Sequence, residues 1–208
     1  MLIDYKKTIE EALIAIWKIE ETEQELLSLF ENQETVLQQI ESITNSVRRC
    51  ERLAVRALIK KLTKQEKTIV YQANGKPALS DNSFEISISH TKGFAAVILH
   101  PTKPVGIDIE IISEQAYRLK SRFMSIKERE AIDKDDEPVV SLLHWTAKET
   151  MYKLISQEGV DFAEHLSIFP FHLIDKQIKA TEYFTSQHKN FEIHVEISDQ
   201  YVLTYCIN

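Results

Sequence analysis

Two rhythms of apolar and polar positions run along the chain. In ALIAIWKIEET (12–22) apolar residues fall on both parities: Leu13, Ala15 and Trp17 interleave with Ile14 and Ile16. That pattern predicts a strand partly buried on both faces, leading into a turn. Thr22 with Glu25 three positions later predicts a helix start closed by a capping box. From about 45 to 63 the period lengthens. Val47, Cys50, Leu53, Ala54, Ala57 and Leu58 recur at steps of three and four, so a long helix is expected. QANGKP (72–77) is a turn by its Asn-Gly step and its proline. FEISISH (84–90) alternates as a strand, GFAAVILH (93–100) is its hairpin partner, and Pro101 and Pro104 bound the join to GIDIE (106–110).

The second part of the chain repeats this grammar. RLKSRFMSIKEREAI reads as a helix or helix pair, and PVVSLLHWTAKETMYKLI (138–155) as a strong helix with proline near its N-terminal edge. FHLI, KATEYF, FEIHVEI and, after a turn at Asp199, QYVLTYCI alternate as strands. Phe30 precedes a helix start placed near Arg52 by 22 positions, and Phe123 precedes Trp145 by 22. An apolar strand with a charged exit, IAIWKIE or VGIDIE, precedes each helix. The plainer explanation is coincidence between two amphipathic helices, but the order of elements matches as well as the spacing. The expected fold is α+β: two similar α/β halves, residues 1–100 and 101–208, in a pseudo-twofold arrangement. Each half needs the other to bury its sheet, and a ligand cleft is expected between them. Such a chain makes its own cleft, so a monomer is expected.

Composition narrows the function classes. With 208 residues, 43% of them hydrophobic and 27% charged, the chain has material for a core and is not a disordered tail. A net charge of -7 argues against nucleic acid as a partner. The basic residues nevertheless cluster, with Arg48, Arg49, Arg52, Arg56, Lys60, Lys61, Lys64 and Lys67 in one run, so a local anionic ligand is compatible with the sign of the whole. Cys50 and Cys206 form no CxxC pair, which argues against thiolate zinc, and nothing resembles a disulfide framework. LIAIW (13–17), bracketed by charges, is too short to span a membrane, and the cytoplasm is the expected location.

Candidate chemistry centres on GIDIE. On a strand Asp108 and Glu110 point to one face, where two like charges repel. Solvation is the bland resolution, and a divalent cation is the sharp one. In WTAKETMYK, Trp145, Glu149 and Lys153 stand four apart on one helix face. Alone, Glu149 and Lys153 would read as a surface pair. With Asp108 and Glu110 nearby, three carboxylates suit Mg²⁺, and Lys153 suits phosphate. Ser89 and His90 end a strand, and Gly75, Lys76 and Pro77 form a turn whose lysine can meet a phosphate. A different Mg²⁺ enzyme, such as a phosphatase or nuclease, would leave the basic helix and SISHT unexplained. A non-catalytic binding protein would have no reason to keep all four charged roles filled.

GKP, SISHT, GIDIE, RFMSIKERE and WTAKETMYKL together resemble the 4'-phosphopantetheinyl transferases, in their two-halved, Sfp-like class. The resemblance runs from about Arg49 to Leu154. It implies coenzyme A in the cleft between halves, with Asp108, Glu110 and Glu149 as Mg²⁺ ligands and Lys153 at the phosphates and leaving group. Ser89 and His90 would contact the diphosphate and 3'-phosphate, and Gly75, Lys76 and Pro77 the adenine side. Arg56, with Arg49, would also bind coenzyme A, Arg56 at the 3'-phosphate. The chain departs from the family pattern at Val55, where glycine is usual, and after Glu110, where Ile111, Ile112 and Ser113 replace a basic residue. The implied reaction moves the phosphopantetheine arm to a serine of an apo acyl or peptidyl carrier protein and releases 3',5'-ADP. Glu149, directly or through a water, would take the serine proton. Ile111, Ile112, Tyr117, Phe123 and Met124 would form an apolar rim for an acidic carrier helix, with Arg118, Lys120 and Arg122 beside it. For Phe123, core packing is the preferred reading.

Overall fold

Strands whose apolar residues sit on both parities need a partner layer on each side, and this chain supplies both. The structure, a computed structural model, describes residues 1–7, 10–132 and 137–208. Its first part runs β1 (Leu2–Lys7), β2 (Leu13–Lys18), α1 (Glu23–Leu27), α2 (Gln33–Gln38), α3 (Ser46–Thr63), β3 (Ile69–Tyr71), β4 (Pro77–Leu79), β5 (Glu85–Thr91) and β6 (Phe94–His100). The second runs β7 (Val105–Ile111), α4 (Gln115–Leu119), a 3₁₀ turn at Lys120–Arg122, α5 (Ile126–Glu130), α6 (Glu137–Ile155), α7 (Phe162–His165), β8 (Leu166–Ile168), β9 (Gln177–Glu182), β10 (Asn190–Ile197) and β11 (Tyr201–Ile207).

Two larger sheets result, with strand orders β1-β2-β6-β5 and β7-β11-β10-β9-β8, and β3 and β4 pair as a separate ribbon. In each larger sheet the strand before the long helix pairs with the last strand of the hairpin that follows: β2 with β6, and β7 with β11. Both pairings are antiparallel. Ile14, Ile16, Ala96, Ile98, Ile107, Ile109 and Leu203 meet in one buried cluster between the sheets. On the outer faces α3 packs Leu53, Ala54, Ala57 and Leu58 against Ala15, Val97 and Leu99, and α6 packs Leu143, Ala147 and Met151 against Ile193, Val195 and Val202. The layers are helix, sheet, sheet and helix, a mixed α and β architecture. No described helix is long and apolar enough to cross a membrane.

Local chemistry explains where elements begin. Thr22 and Glu25 form the capping box that the sequence predicts, and α1 follows it. The long helix starts earlier than Arg52: Asn45 caps it, its side chain accepting the Arg48 N–H, so Arg52 lies well inside. RLKSRFMSIKEREAI breaks into three short pieces, because Ser125 and Glu128 form a second capping box that restarts the helix. FHLI is not a strand. The Asp175 carboxylate accepts the His172 N–H at 2.8 Å and holds a turn there, while the strand that pairs with β9 lies at Leu166–Ile168. The turn before β11 is held by the Ser198 hydroxyl, which accepts the Gln200 and Tyr201 N–H groups.

One glycine decides how closely α6 approaches β7. A Cβ at Gly106 would stand 2.5 Å from the Thr150 carbonyl oxygen and 3.0 Å from Leu154. Its absence lets the helix lie directly on the strand, which brings Glu149 and Lys153 to the carboxylates of GIDIE.

Candidate active site

On β7 the residues at one parity, Val105, Ile107 and Ile109, enter the inter-sheet core. Asp108 and Glu110 share the other face, as alternation predicts, and turn toward α6 and β5. β5 and β7 are edge strands of different sheets, and they run side by side. Hydroxyls join them where no backbone ladder does. Ser87 Oγ accepts the Ile107 N–H at 3.1 Å, Ser89 Oγ donates to Asp108 Oδ1 at 2.7 Å, and Thr91 Oγ1 donates to Glu110 Oε2 at 2.8 Å.

From the other side comes the polar face of α6. Trp145 Nε1 donates to Glu110 Oε1 at 3.2 Å. Lys153 Nζ donates to Asp108 Oδ1 and to the Ile107 carbonyl, both at 2.8 Å. Lys153 thus reaches across to the strand and forms its ion pair with Asp108 rather than with Glu149. Glu149 sits between Trp145 and Lys153 on this face. Burial, followed by the charges of Asp108 and Glu110, pushes its carboxyl up to about 7, with Lys153 opposing. Burial and Asp108 likewise raise Glu110. Asp108 Oδ2 is buried and has no hydrogen-bond partner among the described residues.

Among the described residues no three His, Cys, Asp or Glu side chains stand as a ready-made metal-ligating group. Asp108 and Glu110 are turned instead onto the donors named above. The donor set still fits a hard divalent cation. It offers only oxygen, one buried carboxylate oxygen is orphaned, and two carboxyls are raised partly by their neighbours' charge.

Beside this group opens a cavity of about 370 Å³ between the two parts of the chain. Gly75, Lys76, Pro77, Ser89 and His90 line it on one side and Tyr152, Lys153 and Ser156 on the other. The QANGKP turn projects here because Gly75 takes a φ of +80°, which favours glycine. Its tip is tied across the cleft: Asn74 Nδ2 donates to Ser156 O at 3.0 Å and to Ser156 Oγ at 2.9 Å. Arg52 adds positive charge to the wall, with its guanidinium 5.1 Å from the centre of the Tyr71 ring. His90 Nδ1 lies 3.3 Å from Glu51. Burial lowers the His90 pKa; Glu51 opposes that shift, and Arg52, Lys153 and Arg48 add to it.

Not every expected residue reaches this place. Arg49 is clamped by Glu23 at 2.6 Å and by the Ile40 and Ile43 carbonyls, so it ties α1 and the α2 end to α3. Arg56 is buried, donates to Gln39 and to the Arg52 carbonyl, and does not line the cavity. The steps of three and four in the basic run marked a helix face without saying how deep each turn sits. Met124 is 1% exposed and Phe123 3%, so both belong to the core and not to a rim. Sequence reasoning passed over Lys148, the neighbour of Glu149. Its side chain is fully buried and pairs with Glu128 at 2.8 Å while donating to the Phe123 and Phe162 carbonyls. Only its place in mid-helix, one turn from Trp145, Met151 and Tyr152, hinted at it.

The 4'-phosphopantetheinyl transferase superfamily model matches residues 104–206, which span both the GIDIE strand and the WTAKE helix. The chain carries a 4'-phosphopantetheinyl transferase superfamily domain. No curated protein matches the chain. That domain supports a transferase. Within the matched transferase domain lie Asp108, Glu110, Glu149 and Lys153, whereas Lys76, Ser89 and His90 of the cavity wall come from outside it.

Proposed function

We propose that this protein transfers the 4'-phosphopantetheine arm of coenzyme A to a serine of an apo acyl or peptidyl carrier protein. The observation that carries the reading is the cavity's position. A positive wall of Arg52, Lys76 and Lys153 stands beside three carboxylates of the transferase domain. Coenzyme A would lie in that cavity with its diphosphate near Ser89, His90 and Lys153. Its 3'-phosphate would sit near Arg52, which takes the place expected for Arg56.

Asp108, Glu110 and Glu149 are the residues that would hold Mg²⁺, which supplies charge neutralisation at the diphosphate. The serine oxygen attacks the β-phosphorus, the bond from that phosphorus to the bridging oxygen breaks, and 3',5'-ADP leaves with that oxygen. Glu149, directly or through a water, would take the serine proton. Lys153 meets the charge that grows on the departing phosphate. The exposed Ile112, Leu119 and Ile126, with Arg118 and Arg122 nearby, offer an apolar and basic seat for an acidic carrier helix.

The same reading takes the chain as the two-halved, Sfp-like class, a cytoplasmic monomer with halves at 1–100 and 101–208. The shared pairing of β2 with β6 and β7 with β11 supports two similar halves. The test is intact mass of several apo carrier proteins after incubation with coenzyme A, Mg²⁺ and this protein. A gain of one phosphopantetheine on a carrier is the expected result, and it names the partner. No gain on any carrier, despite tight binding of coenzyme A, would favour a binding protein of the same fold.

A further inference from the structure

The carboxylates assigned to Mg²⁺ all belong to the transferase domain, yet half of the donors that orient them do not. Ser89 and Thr91 lie on β5, outside residues 104–206. They stand two apart on one strand face and meet Asp108 and Glu110, which stand two apart on β7. Glu110 is held at both ends: Thr91 donates to Oε2 and Trp145 to Oε1. A carboxylate has about four lone-pair sites, so one donor on each oxygen fixes the plane of the group and leaves sites free. Such outer donors orient metal ligands, and their loss typically weakens metal binding about 10–100-fold.

We infer that Thr91 is a positioning residue: by holding Glu110 from the opposite sheet it sets this protein's affinity for a divalent cation. The inference rests on the reading of Asp108, Glu110 and Glu149 as cation ligands. β5 also lines the coenzyme cavity through Ser87, Ser89 and His90, so one strand touches the co-substrate space and orients the carboxylates. The bland alternative is that Thr91 merely satisfies a half-buried acid. A metal readout separates the two, because a structural hydroxyl would move stability and not cation affinity.

The chain has two tryptophans, so in a Trp17→Phe background only Trp145 emits. Its indole is bonded to Glu110, and a paramagnetic cation bound there quenches it. Full-length protein is titrated with Mn²⁺, followed by Trp145 emission and by the electron spin resonance of free Mn²⁺. Thr91→Val keeps the shape and removes the hydroxyl. It is expected to weaken Mn²⁺ binding about 10–100-fold, with Thr91→Ser restoring it. Thr91→Ala stands in if the valine variant does not fold. Equal Mn²⁺ affinity in a folded hydroxyl-free variant and in the parent overturns the inference and leaves the proposed function standing. A parent that binds no Mn²⁺ overturns the cation reading and this inference together.

Discussion

Glu149 shows how far surroundings can move one side chain. Its carboxyl is raised from 4.5 to about 7, chiefly by burial and then by Asp108 and Glu110. A carboxyl raised on folding binds more protons in the folded state, so its contribution to stability falls as pH rises between 4.5 and about 7. Metal-free protein should therefore lose melting temperature across that window. Glu149→Gln should remove this part of the slope, as thermal melts in chelator at stepped pH would show, while abolishing transfer. An unchanged slope would place the titration elsewhere. Lys153 is the second case. It already bonds Asp108 and the Ile107 carbonyl, so it is oriented before any ligand arrives. Lys153→Ala should lower kcat by roughly 10² at saturating coenzyme A and carrier. A raised KM with near-normal kcat would reduce Lys153 to a ground-state contact.

At the scale of the element, α6 carries the site and is itself anchored from below. Lys148 and Glu128 form a buried pair with its remaining bonds filled: Glu128 also accepts the Ser125 and Ile168 N–H groups. Glu128 lies on α5, Ile168 on β8 and Lys148 on α6, so this pair fixes α5 and β8 to α6. Breaking a buried pair by removing one partner costs about 3–5 kcal/mol, because the other charge is left uncompensated. Lys148→Ala should therefore lower unfolding free energy by about that amount in denaturant titration. Lys153→Ala, five residues on and partly exposed, should cost much less. Equal losses would show that the two lysines share one structural role. The alternation of GIDIE and the four-residue spacing of WTAKETMYK were sufficient to put Asp108 with Glu110, and Trp145 with Glu149 and Lys153, on one face of each element. The burial of Lys148 was not readable, since nothing in a lysine's neighbours along the chain reports a partner 20 positions away.

For the whole molecule, the cavity exists only because two parts of the chain close on it. Arg52 reaches it and Arg56 does not, although both were members of one basic run. Arg52→Ala should weaken coenzyme A binding far more than binding of dephospho-coenzyme A, as calorimetric titration of both ligands would show. Arg56→Ala should instead lower the melting temperature and affect the two ligands alike. The opposite pattern would return the 3'-phosphate to Arg56.

The sequence by itself determined many of the elements and the chemistry they could carry. Apolar alternation marked β2, β5, β6 and β7, the three-and-four period marked α3 and α6, and the capping residues marked α1, because backbone geometry ties each of these patterns to a local period. GIDIE and WTAKETMYK likewise declared their acids and lysine through spacing alone. What only the tertiary structure decided was depth and partnership. It sank Arg56, Lys148 and Met124 into the interior and set Arg52 at the cavity. It also let α6 touch β7 at Gly106 and stitched β5 to β7 through Ser87, Ser89 and Thr91. Those outcomes depend on contacts between residues far apart along the chain, and a local period carries no record of them.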